Sequence, residues 1–388
     1  MVEIRTIDVS SWTIDNGDAS LRQRCASQMA AGMEELGMVA IVGHGISKEL
    51  FEVIAQTSQQ WFEQPLATKL QYTRGPYGCA EGGYTARGIE AVAASEDGQA
   101  AEDHVDLIES LVFRGEPREG TSMDTFVKIS REYYQHQCRL LHVLHQILCC
   151  ALEMTDINYF WNNRIVSDEG HSLKFSYYPD DDDNDDDVDD DSPNENCKFT
   201  NNSKLRYGAH TDFQDITILK PDDDDWRQLS MYNKNVPVSL GRSTVLTTGG
   251  LQVWDRTAER WEPVILLQAD ALCVNLGDFW NIWSRGRFLS PMHRVTGLWE
   301  LECDRAKPFR ERHKQARTST IFFSVPRSDA LVEPLPDARM VGAAGQEKED
   351  ENSLTLVDNG QGNTKLLLTA GEHLALKLAR INNQQGTR

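Results

Sequence analysis

Apolar positions in the first part of the chain recur at helical spacing, and those in the second part recur in short, strand-like runs. Val2 to Val9 alternates, with Ile4, Ile7 and Val9 among polar residues, and is predicted to be an edge strand. Ser20 to Leu36 has helical periodicity and stops at Gly37, where a glycine that tolerates a left-handed backbone ends a helix well. Met38 to Val42 is a short apolar run closed by Gly43-His44-Gly45, hence a strand and a turn. Lys48 to Phe62 is a second helix, ended by Pro65. Phe126 to Leu152 is the longest helical pattern, with Ile129, Tyr133, Leu140, Leu144, Ile147 and Leu148 as its core stripe. From Leu173 onward the predicted elements are strands: Leu173 to Tyr178, Ile216 to Leu219, Gly250 to Trp254, Leu272 to Leu276, Met292 to Val295 and Ser319 to Val325. Thr364 to Arg380 is helical again. Many short strands separated by Gly, Pro, Asn and Asp clusters point to a mainly β sandwich or double-stranded β-helix, a jelly roll, rather than a parallel sheet.

Composition narrows the partners. The 388 residues are 40% hydrophobic, enough for a sizeable core, and carry a net charge of -21. Such a balance argues against nucleic acid or an anionic membrane as partner. Ten of the twelve residues from Asp180 to Asp191 are Asp, so about half of the excess lies in one run that like-charge repulsion keeps from packing. The segments 180–204, 221–248 and 299–316 read as insertions, and no internal repeat is visible. No stretch approaches the ~20 apolar residues that span a bilayer. The start of the chain lacks the basic-then-apolar layout of a secretory signal. The eight cysteines include no C-x-x-C and read as reduced thiols of a cytoplasmic protein. His142 and His145 read as a pair on a helix surface, His44 as a turn residue, and Cys149-Cys150 as core.

Three phrases carry candidate chemistry: His210-Thr211-Asp212, then Ser290-Pro291-Met292-His293-Arg294-Val295, then Arg317-Thr318-Ser319. A histidine and a carboxylate two residues apart face the same side of an extended segment. With one distant histidine they supply two imidazole nitrogens and one carboxylate oxygen on one face of a metal, leaving positions open for substrate and O2.

These phrases and others in order resemble the plant-and-fungal branch of the 2-oxoglutarate/Fe(II) dioxygenases, the group of isopenicillin N synthase, the flavonoid oxygenases and the gibberellin oxidases. The matching segments are Gly37-Met38-Val39, Gly43-His44-Gly45-Ile46, Ser176-Tyr177-Tyr178-Pro179, Tyr207 to Phe213, Gly249 to Val253, Val274 to Asp278, Ile282 to Phe288, His293-Arg294-Val295 and Arg317 to Phe323. The resemblance runs from about residue 2 to 330. It implies a distorted jelly roll with flanking helices, Fe(II) held by His210, Asp212 and His293, 2-oxoglutarate and O2 as co-substrates, and ascorbate as a stimulant. Arg317 and Ser319 match the pair that grips the far carboxylate of 2-oxoglutarate. Tyr178 matches a tyrosine that adds a phenol donor there, and Asn275 matches a position near the metal.

The chain divides by this resemblance into an N-terminal α/β region (1–125), a long supporting helix (126–170), the oxygenase core with its acidic loop (171–330) and a C-terminal extension (331–388). The expected protein is a monomer acting on a small molecule by hydroxylation, desaturation or oxidative ring closure. In the family the pocket is covered by the stretch after the second N-terminal helix, so Arg74, Tyr84 and Arg87, with Phe213, are candidates for substrate contact. Arginines there would suit an amino-acid-derived substrate, as in kainoid formation. Two other readings stay open: an oxidase of the same fold that does not use 2-oxoglutarate, and a non-catalytic ligand-binding module.

Overall fold

The computed structural model describes residues 2–14, 17–73, 82–95, 106–117, 124–179, 205–222, 246–266, 268, 270–296, 316–336 and 368–385. The acidic run, most of the other two predicted insertions and Arg74 lie outside the described residues.

Two sheets face each other. The larger has the order β2 (Thr6–Asp8), β3 (Met38–Val42), β11 (Leu272–Leu276), β8 (Ile216–Asp222), β13 (Arg317–Phe323), β6 (Ser172–Tyr178), β5 (Glu109–Arg114), β4 (Gly83–Thr85). The smaller runs β1 (Val2–Glu3), β10 (Arg260–Leu266), β9 (Leu246–Asp255), β12 (His293–Thr296), β7 (Leu205–His210). Pairing is antiparallel except where β1 and β2 join. This is the expected jelly roll. The predicted edge strand near the start is two short strands, one in each sheet, so the first residues stitch both layers.

Period-2 alternation sorts the side chains of the large sheet. Inward residues, among them Met38, Ala40, Tyr178 and Cys273, meet Leu251, Val253, Val264 and Val295 of the small sheet in one apolar cluster. The outward face is covered by α1 (Ala19–Glu35), α2 (Lys48–Phe62) and α3 (Asp124–Ala151) in a larger cluster. Helix α1 starts on Asp18, whose carboxylate accepts from the Ser20 and Leu21 amides, and α2 starts on Ser47 in the same way. The stripe Leu140, Leu144, Ile147 and Leu148 of α3 is buried as predicted. His145 is not on a helix surface: it falls within that stripe and is fully buried, because its imidazole has a carboxylate partner described below. His142 does lie near the surface, stacked on Trp161 with ring centroids 3.3 Å apart. Among the described residues no helix is long and apolar enough to cross a membrane.

Two further helices shape the site. α4 (Asp278–Trp283) follows β11 directly, and α5 (Ala370–Gln385) brings Leu374 and Leu378 to a cavity that His210 also lines.

Candidate active site

His210 ends β7, His293 begins β12, and the two are cross-strand partners in the small sheet. Asp212 follows two residues after His210. The atoms through which these three residues could hold a metal lie within 4.8 Å of one another. Asp212 Oδ1 stands 3.8 Å from His210 Nε2 and 4.0 Å from His293 Nε2, and the imidazole centroids are 4.3 Å apart.

The hydrogen bonds around these residues select their ligating atoms. His210 Nδ1 donates to the Gly208 carbonyl at 2.8 Å, and His293 Nδ1 to the Pro291 carbonyl at 3.1 Å. With Nδ1 used as a donor, each ring has Nε2 left to face the common centre. Burial, and then the neighbouring His293, push the His210 imidazole down to about 3, so it is unprotonated at neutral pH. Asp212 Oδ2 accepts from Thr217 Oγ1 and Asn275 Nδ2, each at 2.5 Å, which leaves Oδ1 facing the histidines. Burial opposes ionisation of Asp212, yet the two imidazoles and these hydrogen bonds hold its carboxyl below the usual carboxylate value. Thr217 and Asn275 are cross-strand partners in the large sheet, so both sheets contribute to the cluster. Two nitrogens and one anionic oxygen on one side of a centre fit Fe(II), and the sulfur ligands of a closed structural zinc site are absent from this cluster.

Arg317 and Ser319 open β13, opposite Tyr178 and Ser176 of β6. The Arg317 guanidinium lies over the Tyr178 ring at 4.0 Å and is almost wholly buried. Tyr178 belongs to the apolar cluster between the sheets, so this end of β13 also points inward. Along the same inward row, Phe323 pairs with Thr217, the residue bonded to Asp212. One strand thus links the guanidinium to the carboxylate of the His-Asp-His cluster. Asn275, expected near the metal, bonds directly to Asp212.

A cavity of about 210 Å³ opens beside His210 and Asp212. Its walls are mostly apolar, and Phe213, Ile216, Val92, Phe323, Leu374 and Leu378 contribute. One side is charged. There Lys174 Nζ donates to Glu90 Oε2 at 2.6 Å and to the Tyr207 hydroxyl at 3.2 Å, with both charged side chains buried.

Of the residues expected to touch substrate, Phe213 lines this cavity, whereas Arg87 is exposed. Tyr84 does not face it. Strand alternation turns Tyr84 to the helix side of the sheet, where it is fully buried, donates to Glu109 at 2.6 Å and packs on Trp61. Its neighbour Thr85 takes the cavity side. Sequence reasoning missed Lys174 and Glu90. The signal was a lysine at an inward position of the buried strand Ser172–Tyr178, where a charge needs a partner.

Comparison with known proteins agrees with this geometry. Residues 4–129 match the family described as non-haem dioxygenase in morphine synthesis N-terminal, and residues 169–326 match the 2OG-Fe(II) oxygenase superfamily. The 2-oxoglutarate-dependent dioxygenase tropC of Talaromyces stipitatus is 23% identical over 92% of this chain and 97% of its own length. Gibberellin 20 oxidase 2 of Oryza sativa subsp. indica is 23% identical over 87% of this chain and 71% of its own. Among solved structures, a full-length Neurospora crassa protein in complex with alpha-KG superposes with a TM-score of 0.66 at 21% identity, over 97% of this chain and 96% of that one. The chain belongs to the 2-oxoglutarate/Fe(II)-dependent oxygenase superfamily and is an oxidoreductase of that class, with Fe(II) as its metal and 2-oxoglutarate as its co-substrate.

Proposed function

We propose that this enzyme oxidises a small, neutral, largely apolar metabolite by hydrogen abstraction, with His210, Asp212 and His293 as the iron ligands. The observation that carries the reading is the convergence of two Nε2 atoms and one carboxylate oxygen beside an apolar cavity. Bound iron with 2-oxoglutarate and O2 supplies an oxidising power that no side chain has. The chain's own residues do the rest. His210 stays neutral, the Gly208 and Pro291 carbonyls orient both rings, and Thr217 and Asn275 hold Asp212 so that one oxygen is left to bind. Arg317 offers a planar fork for the far carboxylate of 2-oxoglutarate, stacked on Tyr178 and flanked by the Ser319 hydroxyl. Phe213, Ile216 and Val92 keep water from the reacting carbon.

The cavity also speaks to the substrate. Arginines at its cover would suit an amino-acid-derived molecule, but Arg87 faces solvent. Lys174 and Glu90 already offset each other's charge, so a carboxylate directed at Lys174 would have to break a buried ion pair. A neutral molecule with one hydroxyl or carbonyl, directed to the Lys174 and Tyr207 side, fits without that cost. The similar Neurospora crassa protein is known in complex with thymine, a small neutral ring.

The test is direct. Iron-loaded protein incubated with 2-oxoglutarate and a neutral metabolite extract should form succinate, and one compound should gain an oxygen or lose two hydrogens. The His210→Ala variant should lose both O2 uptake and succinate formation. Equal O2 uptake by the two proteins would refute the site, and substrate consumed without succinate would refute the co-substrate role.

A further inference from the structure

Asp215 lies in the same loop as Asp212, and the chemistry above leaves its carboxylate without a task. Its side chain is fully buried, as is that of His145 on α3. The carboxylate accepts from His145 Nε2 at 3.1 Å, from Trp280 Nε1 of α4 at 2.9 Å, and from Ser324 Oγ just beyond β13. Three donors from three separate elements converge on one anion. An apolar side chain here would strand those donors away from water, so the loop is held by charge and not by packing alone.

The main chain of this loop is fastened to the same helix. The carbonyls of Asp212, Gln214 and Asp215 accept from the amides of Asp278, Phe279 and Gly277 at 2.9, 3.0 and 2.5 Å. The first turn of α4 thus grips the backbone of residues 212–215, while Trp280 grips the Asp215 carboxylate. Thr217 and Asn275 choose which oxygen Asp212 presents. They do not choose where its Cα stands, which is set by the loop.

We infer that the buried Asp215–His145 pair is a positioning device for the metal-binding carboxylate, locking the loop that carries Asp212 against α3, α4 and the exit of β13. The inference rests on the reading that His210, Asp212 and His293 hold the iron. Loss of a partner that orients a ligand typically lowers metal affinity about 10- to 100-fold.

Co(II) alone, titrated into the full-length apo protein and followed by its visible absorption, tests this without turnover. Asp215→Asn should weaken Co(II) binding by about 10- to 100-fold. His145→Leu should do the same, whereas His145→Gln, which keeps an N–H donor near the Nε2 position, should bind nearly as the wild type does. A purely structural role would lower the apo Tm and leave the Co(II) Kd where it was. That result in folded Asp215→Asn overturns the inference. If Asp215→Asn does not fold, Ser324→Ala with His145→Leu carries the comparison, and wild-type affinity in both overturns it equally. Asp212→Ala separates the two layers of argument. Wild-type affinity in that variant would overturn the site itself, while its loss alongside an unchanged Asp215→Asn overturns only the positioning role.

Discussion

At the scale of single residues the cluster is governed by what the unused atoms do. The second heteroatom of each of the three residues is tied down: Nδ1 of both histidines to carbonyls, and Oδ2 of Asp212 to Thr217 and Asn275. The His-x-Asp word and the distant His293 are legible in sequence because chemistry limits the residue types a ferrous site can use. His145 misleads, since a histidine beside a second one invites a surface pair. Its place between Leu144 and Leu148 is the better guide, because a polar residue inside an apolar stripe needs a buried partner. Arg317 gives a prediction at this scale. Arg317→Lys keeps the charge but loses the fork, and losing one charge-assisted hydrogen bond of roughly 1.5–3 kcal/mol should raise KM for 2-oxoglutarate about 10- to 100-fold. Steady-state kinetics with a Co(II) titration in parallel would check it, because Co(II) affinity should not move.

At the scale of elements the longer apolar runs are the most legible. Met38–Val42, Lys48–Phe62 and Leu272–Leu276 have the predicted bounds. The strands that pattern does not reveal are Gly83–Thr85, Glu109–Arg114, Leu205–His210 and Arg260–Leu266. Arg260–Leu266 contains Pro263, a residue that argues against a strand. It is tolerated because the register shifts between Pro263 and Ile265. Leu205–His210 follows the acidic segment and has too few apolar residues to stand out by pattern, and it becomes a strand by pairing with β12. The join of β11 to α4 rests on Gly277. A Cβ there would sit 2.6 Å from the Gln214 carbonyl carbon and oxygen and 2.9 Å from the Asp215 oxygen, all backbone atoms. Gly277→Ala should therefore push α4 off the loop and destabilise the protein by about 1–3 kcal/mol, the usual cost of overpacking. Urea denaturation would show a lower midpoint, and an unchanged midpoint would mean that the contact yields freely.

At the scale of the whole molecule, stability should depend on pH through histidines that fold neutral. His171 is fully buried, accepts the Val325 amide on Nδ1, and is pushed by burial down to about 4. Its ordinary value of 6.5 returns on unfolding, so between pH 6.5 and 4 the unfolded chain binds a proton that the folded chain refuses. Stability present at pH 7 is lost as pH falls through this window. His171→Asn keeps an acceptor for Val325 and cannot titrate. Between pH 7 and pH 5 the wild type should lose roughly 2 kcal/mol more than this variant in urea unfolding, from about one and a half pKa units at 1.36 kcal/mol each. Parallel losses in the two proteins would assign the acid sensitivity elsewhere.

The chain by itself determined the class of fold, the residues that supply the candidate metal-binding atoms, and the Arg-x-Ser pair, because periodicity and residue chemistry are local properties. Only the tertiary structure decided what surrounds them. Cross-strand register placed Tyr84 on the helix side and Lys174 on the cavity side, and convergence of α3, α4 and the β13 exit gave Asp215 its three donors. The hydrogen bonds to Asp215 alone join residues up to 109 positions apart, and no local pattern encodes them.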